Sequence, residues 1–183
     1  MYAVKGPDSC SCTKTGRADA SVSREEWLNQ LMLSHEKAVL RLCLMYLHDV
    51  QLAQDAVQDT FLKAYRKMDG FRGEASEKTW LMRIAVNTCR DMTRGGWFRH
   101  VDKATAIEDL PLPVAPPSAE HIALTAAILS LPAKQREVVL LHCDQGLTIR
   151  DTARALGITP PTVMNRLKKA RAALASALGE EDA

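Results

Sequence analysis

Apolar residues along this chain recur at intervals of three and four, the period of a helix that buries one face. After Asp49, the residues Ala53, Val57, Phe61, Ala64 and Met68 fall on one such face, and Asp49 stands where an N-cap is needed. A second pattern, Leu81, Ile84, Ala85, Thr88 and Met92, follows the turn Asp69-Gly70 and a short polar loop, with Ser76 as its candidate cap. An earlier helix is predicted over Arg24 to Leu47, carrying Leu31, Val39, Leu42, Cys43, Tyr46 and Leu47; the pattern leaves open a break near Ser34-His35. These elements predict a compact all-helical domain.

Between Trp97 and Glu120 the period stops. Pro111, Pro113, Pro116 and Pro117 cannot continue a helix, and with Asp102, Glu108 and Asp109 they read as an extended, semi-rigid linker. Downstream, Pro132 opens a helix through Val138, Val139, Leu140 and Leu141 that should stop at Gly146. Thr148-Ile149-Arg150-Asp151 has the pattern of a reciprocal capping box, Ile149, Ala153 and Leu156 form a buried stripe, and Gly157 is a natural terminator. Thr159 is the expected cap of the next helix, with Pro160 and Pro161 in its first turn and Val163, Leu167, Ala170 and Leu174 as its apolar face. Two short helices joined by a tight glycine turn make a helix-turn-helix. The expected architecture is all-α: a leader (1–23), a first helical domain (24–98), a Pro-rich linker (99–119), a helix-turn-helix domain (120–178) and an acidic tail (179–183).

Composition adds bounds. With 183 residues, 46% hydrophobic and 25% charged, the chain can bury a core and is not wholly disordered. Its longest nearly apolar run, Ile122 to Leu131, is far short of the roughly 18 residues of a membrane span. The segment MYAVKGPDSCSC has no apolar core of a secretory signal, so a cytoplasmic location is expected. Of the cysteines, Cys43, Cys89 and Cys143 sit in apolar helical patterns and are expected in the core; Cys10 and Cys12 form a C-x-C in a polar leader and lack the paired spacing of a zinc site. His35, His48, His100, His121 and His142 are dispersed, and no phosphate-binding glycine loop or nucleophile elbow occurs. No metal, cofactor or catalytic activity is expected.

A net charge of +2 hides strong segregation. Thr148 to Leu178 holds six bases against one acid, net +5, and Lys63 to Arg99 holds nine against four, also net +5. Arg24 to Leu62 is net −3. Two basic surfaces in separate domains point to phosphate backbones. On the last helix Thr162, Asn165, Arg166 and Lys169 share a face away from the apolar stripe, with Lys168 and Arg171 beside it. Asn and Arg read adenine and guanine edges bidentately, and an α-helix fits the major groove. The first basic patch is different, because Tyr65, Phe71, Trp80, Trp97 and Phe98 accompany Arg83, Asn87, Arg90 and Arg94. Cations with aromatics suit single-stranded nucleic acid.

These residues carry a family resemblance. Asp55 through Tyr65, Phe71-Arg72-Gly73-Glu74, and Lys78 through Asn87 resemble region two of the sigma-70 family of initiation factors; Leu131 through Val138 and Gly146 through Val163 resemble region four. The short span between them resembles the compact extracytoplasmic-function (ECF) group. The resemblance implies an RNA polymerase sigma factor without catalytic activity. Gln54, Asp55, Gln58, Asp59 and Lys63 would dock on the β′ clamp helices of core RNA polymerase, and the second domain on its β flap. Phe71, Arg72, Ser76, Lys78, Trp80, Arg83, Asn87 and Arg90 would take the non-template strand of the minus-ten element. Thr159, Thr162, Asn165, Arg166, Lys168, Lys169 and Arg171 would read the minus-thirty-five duplex, and an anti-sigma factor is an expected partner. The chain departs from the family at Met164, where a polar DNA-facing residue is common, and at Pro160-Pro161. The competing reading is a helix-turn-helix duplex-binding regulator, which leaves the aromatic patch without a job.

Overall fold

The computed structural model describes residues 23–94 and 119–179. The leader up to residue 22 with Cys10 and Cys12, residues 95–118 with Trp97, Phe98, Arg99 and the expected linker except Ala119, and residues 180–183 of the acidic tail lie outside the described residues.

Helix α1 (Arg24–Leu47) runs unbroken through Ser34 and His35. Its start is a full capping box: the Ser23 hydroxyl accepts from the Glu26 amide, and the Glu26 carboxylate accepts from the Ser23 amide. Helix α2 (Val50–Lys67) begins at Asp49, whose carboxylate accepts from the Leu52 amide at 2.8 Å, as the sequence predicts. Helix α3 (Glu77–Arg94) is capped by Ser76, whose hydroxyl accepts from the Thr79 amide at 3.1 Å. The three helices pack on one another pairwise. Small residues at Ala53, Ala56 and Ala64 let α2 approach closely, while Phe61, Leu81, Met82 and Val86 fill the space between. Cys43 and Cys89 meet in this core, Sγ to Sγ 3.7 Å. The neighbouring thiol and burial push the Cys89 pKa up, so it sits as an inert thiol.

The second unit consists of α4 (Ala119–Ser130), α5 (Ala133–Val139), α6 (Ile149–Leu156) and α7 (Pro160–Leu178). Four local expectations fail in this unit. The helix opened by Pro132 does not continue regularly to Gly146; at Leu140 it widens into a π turn over Leu140–Asp144. The wider turn keeps Leu140 and Leu141 buried but shifts the phase of the residues after them, so Cys143 is exposed instead of in the core. Thr148 caps α6 by accepting from the Asp151 amide, yet Asp151 returns the contact to the Thr148 hydroxyl at 2.6 Å, not to its amide. Thr159 makes no side-chain cap to α7. Pro160 and Pro161 have removed two of the amides a cap would satisfy, and the Thr159 hydroxyl pairs with that of Thr162 at 2.8 Å. The stripe Val163, Leu167 and Ala170 is buried as expected, and Gly157, at φ +67°, turns the chain between α6 and α7.

The buried apolar residues of both units, Ala127 apart, belong to one cluster. Helix α6 lies against α3, and α5 with the π turn lies against α1. The last six residues of α1, Leu42 to Leu47, are all buried. A helix offers one face to one neighbour, so burial all round requires a second partner; α2 and α3 cover one side and the second unit the other.

Asp49→Ala removes the cap of α2 and should lower stability by about 1 kcal/mol in urea denaturation. A loss within a few tenths of that of a surface alanine control would show that the cap contributes little.

Candidate nucleic-acid and polymerase interfaces

Each turn of α2 that buries Ala53, Ala56 and Phe61 turns Gln54, Asp55, Gln58 and Asp59 to solvent. The expected acidic face therefore exists as one exposed strip. Leu62, 46% exposed, continues it. Lys63 borders the strip: its ammonium lies 4.0 Å from the Asp59 carboxylate and donates to the Thr88 hydroxyl at 3.1 Å, between α2 and α3.

The loop between α2 and α3 is held by aromatic contacts. Trp80 packs against Phe71, ring centroids 5.2 Å apart, and edge-on against Trp27 at 6.0 Å. The Trp27 indole N–H donates to Glu77 at 3.3 Å. All three rings are only partly buried. At the tip, Gly73 takes φ +70°, a backbone conformation that side chains disfavour. The loop closes one side of a cleft of about 580 Å³ lined by Phe71, Arg72, Glu74, Trp80, Arg83 and, from α6, Arg154. A second cleft of about 350 Å³ runs along α2 and α3 past Lys67, Arg83 and Asn87. Trp80 and Arg83 line both. Arg72, Ser76, Arg83 and Asn87 are exposed.

Two of the expected strand-binding cations have other occupations. Lys78 donates to the Gln145 carbonyl, on the second unit, at 2.6 Å. Arg90 forms a two-pronged ion pair with Glu137 of α5, Nε to Oε1 and Nη2 to Oε2 both at 2.8 Å. The Tyr46 hydroxyl donates to the same Oε1 at 2.9 Å. Glu137 is 4% exposed, and these donors satisfy its oxygens in place of water. The hydrogen bond to Glu137 raises the Arg90 pKa further, and burial with the adjacent carboxylate pushes the Tyr46 phenol up. Around this centre Arg41 pairs with Asp144 at 2.6 Å, the Gln145 amide donates to the Ala38 carbonyl at 3.3 Å, and Arg154 donates to the Glu74 carbonyl at 3.3 Å. Arg136 of α5 contacts the His48 ring, and burial lowers its pKa. Sequence reasoning missed this whole set. The consecutive apolar run Leu42 to Leu47 was the signal available, since no single-faced helix carries it.

On α7, Asn165, Lys168, Lys169 and Arg171 are exposed, while Thr162 and Arg166 are half-buried at one edge of the face. Met164, 61% exposed, stands on the other edge. Thr159 is exposed at the helix start.

A model of sigma-70 region 2 matches residues 31–99, and one of sigma-70 region 4 matches 121–174. The chain belongs to the sigma-70 family. Among its relatives, the ECF RNA polymerase sigma factor SigM of Mycobacterium tuberculosis is 38% identical over 82% of this chain and 76% of the relative. The RNA polymerase sigma-H factor of Pseudomonas aeruginosa is 32% identical over 81% and 84%. The sigma factor RpoE of Bartonella quintana, solved in complex with the anti-sigma factor NepR, superposes with a TM-score of 0.69 at 25% identity, over 86% of this chain and 99% of that one. CnrH, solved with the cytosolic domain of CnrY, has the same fold at TM-score 0.66 and 24% identity, over 86% and 91%. The expected all-α, two-domain sigma architecture is thus established, and the protein is an ECF-type RNA polymerase sigma factor. Among the described residues no helix is long and apolar enough to cross a membrane.

His35 of α1 is half-buried beside the start of α3. Burial lowers its pKa below 6.5, Lys78 adds to the lowering, and Glu77 opposes it. The unfolded chain therefore takes up this proton first, so stability falls as pH drops through about 6.5. His35→Gln should flatten the decline measured by urea denaturation between about pH 7 and 5. An undiminished slope in the variant would assign the decline to another group.

Proposed function

We propose that the sigma factor divides its work between its two units as the exposed chemistry suggests. Residues 24–98 bind core polymerase and the minus-ten strand, residues 120–178 read the minus-thirty-five duplex, and residues 99–119 connect them. The chain works in the cytoplasm and catalyses no reaction of its own, with no cofactor. The observation that carries this reading is the adjacency, on one three-helix bundle, of an exposed acidic strip on α2 and a cationic, aromatic-lined cleft system around Trp80.

Gln54, Asp55, Gln58 and Asp59 present carboxylates and amides to the β′ clamp helices, with Leu62 adding apolar area. Charged rims of this kind set on-rate and register. Phe71 and Trp80 offer rings on which an unstacked base can lie, and Arg72, Arg83 and Asn87 line the path of the backbone. On α7, Asn165 and Arg166 take base edges, and Lys168, Lys169 and Arg171 take phosphates. Met164 brings an apolar group to the edge of this face, and the thymine methyl is the apolar feature of the major groove. Docking of the second unit on the β flap and restraint by an anti-sigma factor complete the partner set. The restraint is supported by the likeness to RpoE, which is solved with one. The exposed Ile122, Leu124 and Leu178 offer it apolar contacts.

Reversing charge at both Asp55 and Asp59 should weaken binding to core polymerase severalfold in a titration with labelled sigma factor, while duplex binding through α7 changes little. Unaltered polymerase affinity would remove α2 as the docking face. Arg166→Ala should cost about 1–3 kcal/mol at one position of the minus-thirty-five element in a binding assay across single-base variants. A uniform loss over all variants would mark Arg166 as a phosphate contact instead.

A further inference from the structure

Arg83, Asn87 and Arg90 stand at i, i+4 and i+7 on α3 and so form one row along the helix. The first two are exposed, and the third is occupied by Glu137 of the other unit. The occupation is complete: both prongs of the guanidinium are used, its remaining nitrogen donates to the side-chain Oδ1 of Asn87 at 3.4 Å, and Tyr46 supplies a further donor to the carboxylate. A planar guanidinium binds carboxylate and phosphate with the same two-pronged geometry. Lys78 is likewise held by the second unit, through the Gln145 carbonyl.

We infer that Arg90, with Lys78, is a phosphodiester site whose occupant in the closed molecule is the Glu137 carboxylate, so that domain docking and promoter-strand binding compete for the same cations. The inference rests on the reading of α3 as the strand-binding helix. The competition is reversible for a physical reason. Taking both charges out of water costs nearly what their attraction returns, so the apolar core the units share, and not this pair, holds them closed; parting the units rehydrates both charges and exposes part of that core. The ion pair thus specifies the closed arrangement without locking it. A single-stranded phosphate backbone, once the units separate, meets a continuous cationic row in place of a row blocked at its end.

The test uses the full chain and a fluorescein-labelled single-stranded DNA of mixed sequence. Glu137→Gln keeps the shape but removes the charge that holds Arg90. Its affinity should rise about fivefold or more, because apparent affinity scales with the fraction of open molecules. The log–log salt dependence should steepen by about 0.7 for each further phosphate engaged. The radius of gyration from solution scattering should increase, and adding Arg90→Ala should abolish the rise in affinity. Tyr46→Phe, which removes one donor to the carboxylate and leaves the charges in place, should give a smaller rise and serves where Glu137→Gln folds poorly. Unchanged DNA affinity, an unchanged radius, or a rise that survives Arg90→Ala would each overturn the inference. Initiation by the wild-type chain with core polymerase separates the two levels. If wild type initiates and Glu137→Gln behaves like it on DNA, only the competition falls; if wild type does not initiate, the assignment of the strand-binding helix falls first.

Discussion

The closing stretch of α1 has no solvent-facing side. Leu42 to Leu47 are buried in succession, which means that helices α2 and α3 cannot satisfy α1 alone. This constraint governs much else in the molecule. It draws α5 and the π turn onto α1, brings α6 against α3, and merges what could have been two small cores into one. Small domains bury a modest fraction of their surface, so sharing a core is a direct advantage for units of this size.

The electrostatics have to accommodate that docking, because each unit carries a stretch of net +5. Two acids of the second unit make contact feasible: Asp144 receives Arg41 and Glu137 receives Arg90. Backbone carbonyls of Gln145 and Glu74 receive Lys78 and Arg154. Cations from both sides are thereby met by acceptors across the boundary. The exposed cations that remain, Arg72, Arg83, Lys168, Lys169 and Arg171 among them, sit where the strand and duplex faces are proposed.

Much of the secondary structure was legible because it obeys local rules. Asp49 and Ser76 cap where their side chains predict, and the stripes of α2, α3 and α7 are buried at nearly every expected position. What escaped prediction depends on neighbours distant in the sequence. The π turn at Leu140 keeps two leucines in a shared core at the expense of regular spacing, which put Cys143 outside. Lys63 looked like a free member of an outward face, but it is shared between Asp59 and Thr88, 25 positions away. Arg90 has the period of a solvent-facing residue, and only the arrival of Glu137 from 47 positions away changes its surroundings. The docking of the units could have been suspected from the run Leu42 to Leu47, though nothing in that run names the partner.

The paired prolines at the start of α7 bear on how this helix would meet the duplex proposed for it. Helix ends ordinarily fray, and a frayed first turn must be ordered anew at each encounter. Pro160 and Pro161 restrict the backbone at N1 and N2 to helical φ and leave fewer amides seeking a cap. The restriction acts on the unfolded chain, so the entropy of ordering that turn is already spent during folding. The side chains from Thr162 onward are therefore presented from a preset scaffold. In the duplex-reading role proposed for α7, a mismatched base pair would be felt as a misfit against fixed groups, which sharpens discrimination at the cost of adaptability.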